Sequence, residues 1–548
     1  MSMSDTTDGR ILLVDDERLV RFTISTWLKA SHFEVTAVAT PTEAMSVIKE
    51  SAYDAVVSDV MMGDVDGFML RDAVRRFDAR IPFVFLTALV ETPTNQLQAH
   101  IAEDQYSTYV AKNARKDVLL MRIRQAVRSH RAEHEAEALR AERRRDLEFA
   151  ARVQNVLLPA PVIVGREFFC SALSHPFDIV SGDFCHWHAL TERLGMFVFG
   201  DISGHGTSAA LAMAAVVSHL KGIANGEGVR LRQPHVVCRE IDSFIRQNLR
   251  DVCYLSGTVL FVNLDTNKVR YLNAGGMEPL CFSRTDGSRI ELNPDGRGCL
   301  PMGMMENAKY DESAVVEAPL DDDSLLCLYS DGYADVSSDE AGTDCLPQDV
   351  MCEVIGELVR SASGTADFAA IPYRLNELIR DMGFSHRQDD MNFVIFGRSM
   401  IHALRFLRAV PMRDSSYIDQ AVAEASQWTK DRGYPDEAVV RLELLLDEHL
   451  QNVRKHGMTE AERMHDSAVV EMRPAGDDLE VCVWNRGAEW HCDLSETAPH
   501  PDVALNAQND ALAGGGRGIA ILRKLTRRIA YERFDGLNKF TYLMRTST

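Results

Sequence analysis

MFVFGDISGHG, residues 196–206, is an apolar run that ends in Asp201 and a glycine-rich turn. TSAALAMAAVVSHLKGI, residues 207–223, follows it with helical character. An apolar stretch bounded by Gly and Asp reads as a strand with an acid at its end. The same edge recurs nearby, in SGDF (Asp183), YSDGYAD (Asp331) and RQDDMNFVIF (Asp389, Asp390). Further strand-like runs are YLSGTVLFVNLD (254–265), KVRYLNAG (268–275) and DSLLCLYSDG (323–332), and PHVVCREIDSFIRQNL (234–249) is a second helical stretch. Residues 159–398 therefore read as α+β, sheets flanked by helices. Taken singly, an Asp at a strand end is an ordinary solvated turn former. Four such edges in one segment can hold two divalent ions about 3.5–4 Å apart, which activate a water for in-line attack on a phosphate with no Ser or Cys nucleophile.

Upstream, residues 10–127 alternate short apolar strands with helical patterns, which implies a parallel sheet with helices on both faces. ILLVDD (11–16), YDAVVSD (53–59), IPFVFLTA (81–88) and YSTYV (106–110) are the strands. In TPTEAMSVIKE (40–50), Thr40 is the expected N-cap, Pro41 opens the helix and Glu43 completes a capping box. Ligands of such sheets bind at the carboxyl ends of the strands. Asp15, Asp16 and Asp59 converge there, with Thr87 and Lys112 beside them. Three carboxylates at one edge repel unless a cation such as Mg²⁺ lies between them, and one of them can act as nucleophile towards a phosphoryl donor.

Residues 128–158 change character. The segment has no Gly, and Ala132, Ala136, Leu139, Leu147, Ala150, Val153 and Leu157 form a loose helical stripe broken by Arg143, Arg144 and Arg145. It reads either as a helical dimer seam, making a homodimer, or as a solvated linker helix. Residues 399–548 form another α+β unit. AVVRLELLLDEHLQNVRKHG (438–457) is a strong amphipathic helix, and AVVEMRP (468–474), LEVCVWN (479–485) and FTYLMR (540–545) are strands. GGGRG (514–518) opens a second helix read as IAILRKLTRRI (519–529).

Composition excludes several classes. The chain has 548 residues, 59 Lys and Arg against 81 Asp and Glu, and a net charge of −22, which repels a phosphate backbone. Eleven cysteines without a CxxC pair argue against a structural zinc site or a disulfide framework. No apolar run approaches the ~18 residues that span a bilayer, and MSMSDTTDGR is not a signal peptide. The expectations are a cytoplasmic protein with no nucleic-acid or membrane partner.

The first 125 or so residues resemble a response-regulator receiver domain. The resemblance implies Asp59 as phosphoacceptor, Asp15 and Asp16 with Asp59 as Mg²⁺ ligands, Thr87 and Lys112 as sensors of the phosphoryl group, and Tyr109 as the switch aromatic. It also implies a sensor histidine kinase or phosphotransfer protein as partner. The family usually has Pro after the lysine; Asn113 stands here. Residues 159–398 resemble the SpoIIE branch of the PP2C phosphatases, preceded by a helix like AARVQNVLLP (150–159). That implies Mn²⁺ or Mg²⁺ held by Asp183, Asp201, the Ile202 carbonyl, Asp331 and Asp389, and phosphoserine or phosphothreonine of a STAS-type anti-sigma-factor antagonist as substrate. The family's GGDFYD reads SGDFCH here, with Ser181 for Gly and His186 for an acid. DDIT reads DDMN, and Gly276 stands where His is common.

Residues 400–548 resemble the GHKL ATPases, specifically the anti-sigma-factor kinases. Glu448 would activate a hydroxyl, Asn452 would hold Mg²⁺, and Asn485, Gly487, Gly514, Gly516 and Gly518 would bind ATP, the glycines offering backbone N–H groups to phosphate. Asn485 replaces the family's adenine-reading Asp, Glu489 its second Gly, and Arg527 an acid expected in the last helix. Two readings stay open for this segment: a kinase for the same antagonist, or a module that binds a sigma or anti-sigma factor. The expected organisation is multidomain: an α/β doubly wound receiver (1–127), a helical linker (128–158), an α+β PP2C-type sandwich (159–398) and an α+β GHKL (Bergerat) sandwich (399–548).

Overall fold

A computed structural model describes residues 7–62, 66–87, 104–158, 162–164, 167–191, 193–204, 206–225, 233–250, 252–362, 364–398, 405–490 and 516–546. The chain divides into two compact units, Met1–Asp146 and Leu147–Thr548.

In the first unit, β1 (Gly9–Val14), β2 (Phe33–Val38), β3 (Ala55–Asp59), β4 (Phe83–Thr87) and β5 (Ser107–Ala111) form a parallel sheet in the order β2-β1-β3-β4-β5. Ile11 and Leu13 face one buried cluster while Leu12 and Val14 face another. Covering both faces explains why the strands are near-continuous aliphatics rather than alternating. Thr40 caps the helix Pro41–Glu50 by accepting from the Glu43 N–H. The Glu43 carboxylate accepts from the Ala39 N–H, one residue earlier than a capping box requires. Asn113 needs no unusual peptide: among the described residues every peptide bond is trans. The last helix runs unbroken from Lys116 to Leu157. The boundary expected at 127/128 thus falls inside it, because its Ala, Glu and Arg residues favour helix and nothing there stops one.

The second unit begins with a two-sheet sandwich. Its strands are β6 (Val162–Val164), β7 (Phe168–His175), β8 (Phe184–Ala189), β9 (Leu194–Ile202), β10 (Leu255–Asn263), β11 (Lys268–Ala274), β12 (Leu280–Ser283), β13 (Arg289–Ile290), β14 (Val316–Pro319), β15 (Ser324–Tyr329) and β16 (Met391–Arg398). The sheets are ordered β14-β11-β10-β9-β8 and β13-β12-β15-β16-β7-β6. Between them lie Phe197, Phe199, Leu260, Leu326, Val394 and Phe396. Helices Thr207–Asn225 and Pro234–Asn248 cover the first sheet. Residues 207–224 of the former are long and apolar enough to cross a membrane by length and composition, contrary to the expectation that no run approached that limit, and 44% of the stretch is buried in this core. Helices Gln348–Ser361, Thr365–Ala369 and Ile371–Asp381 cover the second sheet. The sequence reading found two helical stretches here and did not identify these three.

The remaining sheet has the order β17-β18-β19-β21-β20, from β17 (Phe406–Pro411), β18 (Ser467–Ala475), β19 (Asp478–Arg486), β20 (Thr526–Phe534) and β21 (Leu537–Arg545). One face, with Val470, Val481, Val483 and Tyr542, packs on helices Ser416–Lys430, Asp436–Asn452 and Gly516–Leu525. The other, with Val469, Cys482, Trp484 and Leu537, joins the cluster under helices 348–381 of the sandwich. The last helix stops at Leu525, so the segment read as helix through Ile529 is partly strand. Arg527 accordingly lies on β20, not in a helix, and pairs with Asp478 at 3.4 Å.

The β20–β21 turn carries a further link. Asp535, at φ 42°, accepts from His175 Nε2 (2.5 Å), Asn376 Nδ2 (3.2 Å) and Arg380 Nη2 (3.2 Å), and its N–H donates to Glu377. Burial alone would raise its carboxyl, but the His175 hydrogen bond and the neighbouring cation and amide outweigh this and hold it at about 2. Asp535→Ala strands several partly buried partners at once, so we expect a loss of about 2 kcal/mol. The sign follows from the depressed value: the contribution is present above the ordinary Asp range and fades as pH falls towards 2. Urea unfolding monitored by far-ultraviolet circular dichroism, with Asp535→Asn for comparison, checks it; an unchanged midpoint for Asp535→Ala refutes it.

Candidate functional site

In the first unit the sheet carries Asp15, Asp59, Thr87 and Lys112 to the carboxyl ends of its strands. Asp15 follows β1, Asp59 ends β3 and Thr87 ends β4; all three are buried. Asp16 is exposed, and Tyr109 on β5 is 43% exposed. Lys112 follows β5 directly, with its Nζ 2.6 Å from Asp59 and 3.2 Å from both Asp15 and Glu17. Glu17 was not anticipated. Burial lowers the Lys112 ammonium, but these carboxylates more than offset it and hold it above the ordinary lysine range. Burial raises Asp15, to which the Asp59 charge adds. Oxygens of Asp15, Asp16 and Asp59 lie within 4.8 Å of one another. This all-oxygen, acidic donor set fits Mg²⁺.

In the sandwich, four carboxylates from both sheets converge. Asp201 lies on β9 opposite Ser256 of β10, whose hydroxyl is 3.3 Å from its carboxylate. Asp331 precedes the short helix Gly332–Asp335, and Asp389 precedes β16. Pairing of β15 with β16 brings these two segments together: the Ser330 hydroxyl donates to the Asp390 carbonyl at 2.9 Å. Asp183, before β8, is 4% exposed. Its carboxylate accepts from Asn392 Nδ2 at 2.7 Å. Asn392 stands where DDIT-type sequences carry Thr, so this departure supplies a donor rather than losing one.

Asp390 has a different task from its neighbour Asp389. It accepts from Phe177 N (2.6 Å), Ser181 Oγ (2.7 Å) and Gly182 N (3.0 Å), clamping the SGDF turn. Ser181, the other departure, makes that clamp with its hydroxyl. A Cβ on Gly182 would stand 3.0 Å from the Ile202 carbonyl oxygen and 3.1 Å from the Ala209 side chain, a tight fit that a larger residue could enter only if these neighbours gave way. A Cβ on Gly276 would meet Gly257 Cα at 2.7 Å, which leaves no room for the histidine common at that position. His186 is buried with no partner at either ring nitrogen, and burial lowers it to about 4, so it adds no charge. Gln154, on the helix leading into the sandwich, donates to the Ser181 and Ala210 carbonyls and accepts from Ser181 N. The clustered charge shows in the acidities. Burial and the Asp201 charge push Asp183 well up; burial and Asp331 raise Asp201 to about 6; burial and Asp389 raise Asp331.

No three of these carboxylates are gathered as closely as those of the receiver, among the described residues. Ligands shared around two ions about 3.5–4 Å apart are spread more widely than ligands around one. The mutual repulsion and the hard oxygen donors fit divalent cations. A ligand near 6 must release its proton to bind one, so apparent Mn²⁺ affinity should fall by at least about tenfold per pH unit below about pH 6. Calorimetric titration at several pH values reads this; a flat profile removes Asp201 from the ligand set.

In the last domain, Asn452 Nδ2 donates to Glu448 Oε1 at 2.8 Å on helix Asp436–Asn452. The helix passes into a π-helical turn, Val453–Gly457, directly after Asn452. Asn485 is 1% exposed; its amide donates to the Arg486 carbonyl, and its buried Oδ1 has no hydrogen-bond partner. That orphaned acceptor suits an adenine amine. Gly487 sits at φ 143°, where a Cβ would stand 1.9 Å from the Gly457 carbonyl oxygen. Gly516 and Gly518 lie in the helix Gly516–Leu525, while Gly514 lies outside the described residues.

Three family models match along the chain: the response regulator receiver domain over residues 11–124, stage II sporulation protein E (SpoIIE) over 192–399, and the histidine kinase-like ATPase domain over 412–542. The chain joins a receiver, a SpoIIE-type PP2C phosphatase domain and a GHKL-like ATPase domain. Phosphoserine phosphatase RsbU of Bacillus subtilis is 23% identical over 221 residues, 39% of this chain and 63% of the relative. Regulatory protein VanRc of Enterococcus gallinarum is 32% identical over 99 residues, 18% of this chain and 42% of the relative. The chain thus spans less than two thirds of each of these relatives. Among solved structures, the RsbU and RsbW domains of a Mycobacterium tuberculosis protein are 17% identical, covering 71% of this chain and 95% of theirs with a TM-score of 0.37. The SiaA PP2C domain of Pseudomonas aeruginosa is 17% identical, covering 47% and 98% with a TM-score of 0.38. Divalent-metal dependence is general to the phosphatase family.

Proposed function

We propose that this protein is a cytoplasmic partner-switching response regulator. A sensor histidine kinase or phosphotransfer protein phosphorylates Asp59, which controls a phosphatase acting on phosphoserine or phosphothreonine of a STAS-type anti-sigma-factor antagonist. The observation that carries the reading is the convergence of Asp183, Asp201, Asp331 and Asp389, whose burial and charges raise the first three. Asp201, the Ile202 carbonyl, Asp331 and Asp389 would hold Mn²⁺ or Mg²⁺, with Asp183 at a weaker position. When bound, the ions supply the Lewis acidity that activates water towards phosphorus. The chain's own contribution is positional. Asn392 orients Asp183, Ser256 orients Asp201, and Asp390 fixes the turn that presents Asp183. In the receiver, Asp15, Asp16 and Asp59 would hold Mg²⁺, and Thr87 and Lys112 would bind the phosphoryl oxygens.

The C-terminal domain, in this reading, phosphorylates the same antagonist, with Glu448 as base, Asn452 on Mg²⁺, and Asn485, Gly487 and the 514–518 glycines around ATP. Purified protein supplied with Mn²⁺ and a phosphorylated antagonist, with and without a phosphoryl-donor mimic, tests the control. Equal hydrolysis rates in both conditions refute coupling to Asp59. A second reading, in which this domain binds a sigma or anti-sigma factor without kinase activity, is favoured by one observation: neutral Asn485 occupies the position of a charged adenine reader. Titration of the full chain with Mg·ATP separates the two. Saturable binding lost in Asn452→Ala supports the kinase, and no binding supports sequestration.

A further inference from the structure

We propose that Asp78, His130 and His134 form a transition-metal site of the zinc, cobalt or nickel class in the receiver unit, separate from its acidic edge. His130 and His134 lie one turn apart on the helix Lys116–Leu157, at the i, i+4 spacing that puts two side chains on one face. Their Nε2 atoms are 2.9 Å apart, and Asp78 Oδ2 is 3.9 Å from that of His130. The three potential ligand atoms lie within 4.8 Å of one another.

The surroundings hold this group in place. Asp78 Oδ1 accepts from the N–H groups of Arg80 (2.9 Å) and Ile81 (3.1 Å), which leaves Oδ2 turned to the imidazoles. Fixing a carboxylate through its second oxygen is what outer-shell bonds do at metal sites. His130 is 7% exposed, its Nδ1 has no partner, and its hydrogen-bonding contact is with His134. Nearby charges are otherwise engaged: Arg131 binds Asp54 at 2.8 Å and Arg80 pairs with Glu137. One N–H···N bond between two neutral imidazoles uses a single lone pair, whereas a cation uses both and the carboxylate as well.

Two imidazoles and one carboxylate suit Zn²⁺, Co²⁺ or Ni²⁺ and not the hard Mg²⁺ or Ca²⁺. Metal–ligand bonds of about 2.0–2.2 Å place ligand atoms roughly 3–3.5 Å apart, between the two separations seen. Water would complete the shell. The bound ion would fasten the helix at residues 130–134 to the loop at residue 78.

The test uses the full chain, stripped by chelator and held in excess Mg²⁺ to occupy oxygen-only sites. Zn²⁺ and Ni²⁺ are titrated by calorimetry, and Co²⁺ by its visible absorption. His134 is exposed, so His134→Ala should leave the fold intact. The expected result is one imidazole-type equivalent in the parent, absent in His134→Ala and weakened at least about tenfold in Asp78→Asn, in line with the cost of losing a metal-orienting group. Equal stoichiometry and affinity in parent and His134→Ala overturns the proposal, as does a parent that binds none of the three ions beyond what His134→Ala binds. Circular dichroism of each variant guards against loss of fold.

Discussion

Asp201→Asn is expected to lower phosphatase kcat by on the order of a thousandfold, roughly 4 kcal/mol of barrier. Asp201 sits where β9 and β10 bring it against Ser256, facing Asp331 and Asp389 across the sandwich. An amide there has nearly the same shape, so packing is kept. It offers one neutral oxygen in place of two charged ones, so it would hold a divalent cation far less tightly. The raised acidity of Asp201 predicts a second effect. Removing one charge from a repelling cluster stabilises the metal-free fold at neutral pH, because repulsion that Asp201 felt on ionising is gone. Asp201→Asn should therefore melt at a higher temperature than the parent without Mn²⁺, and gain less on adding it. Near-parental kcat would sink the assignment. Lost activity with a lowered metal-free melting temperature would point instead to damage of the fold.

Asp59→Asn is expected to abolish stable phosphoryl incorporation from a small-molecule phosphodonor, since no carboxylate then remains at the end of β3 to form the acyl phosphate. Lys112 loses its shortest ion pair, 2.6 Å, and keeps Asp15 and Glu17 at 3.2 Å. The receiver should still fold, and its melting temperature should change little relative to the loss of incorporation. If Asp59 controls the phosphatase, the variant's hydrolysis rate becomes insensitive to phosphodonor while its basal rate persists. Intact-mass measurement reads the first outcome and phosphate release the second. Full incorporation in Asp59→Asn would place the acceptor elsewhere.

Much of the fold was legible because it is written in local pattern. ILLVDD and IPFVFLTA are uninterrupted aliphatics, and a parallel strand covered on both faces requires that. The acids of the sandwich were legible for a related reason: each adjoins an apolar run, Asp201 and Asp331 at the end of a strand and Asp183 and Asp389 just before one, so each falls at a sheet edge. What failed was local ambiguity. LTRRI continues a helical pattern in sequence, but β20 pairs with β21 from Thr526 onwards, and the ladder overrides the propensity. The helices of 348–381 escaped notice although Met351, Ile355, Leu358 and Val359 carry a helical spacing that could have found them.

Sequence by itself determined the three-domain plan, the acids at strand ends and the paired Glu448 and Asn452, because each depends on residues near one another in the chain. Tertiary structure alone decided that Asp390, the neighbour of the expected ligand Asp389, clamps the SGDF turn. The two are adjacent and chemically identical, and only the partners Phe177, Ser181 and Gly182, more than two hundred residues away, distinguish them. It also decided that Glu471, in the middle of β18, is buried against the N–H groups of Thr365 and Ala366 and paired with Arg405. A carboxylate on a covered sheet face is tolerable only when such donors meet it, and no local pattern announces where they will come from.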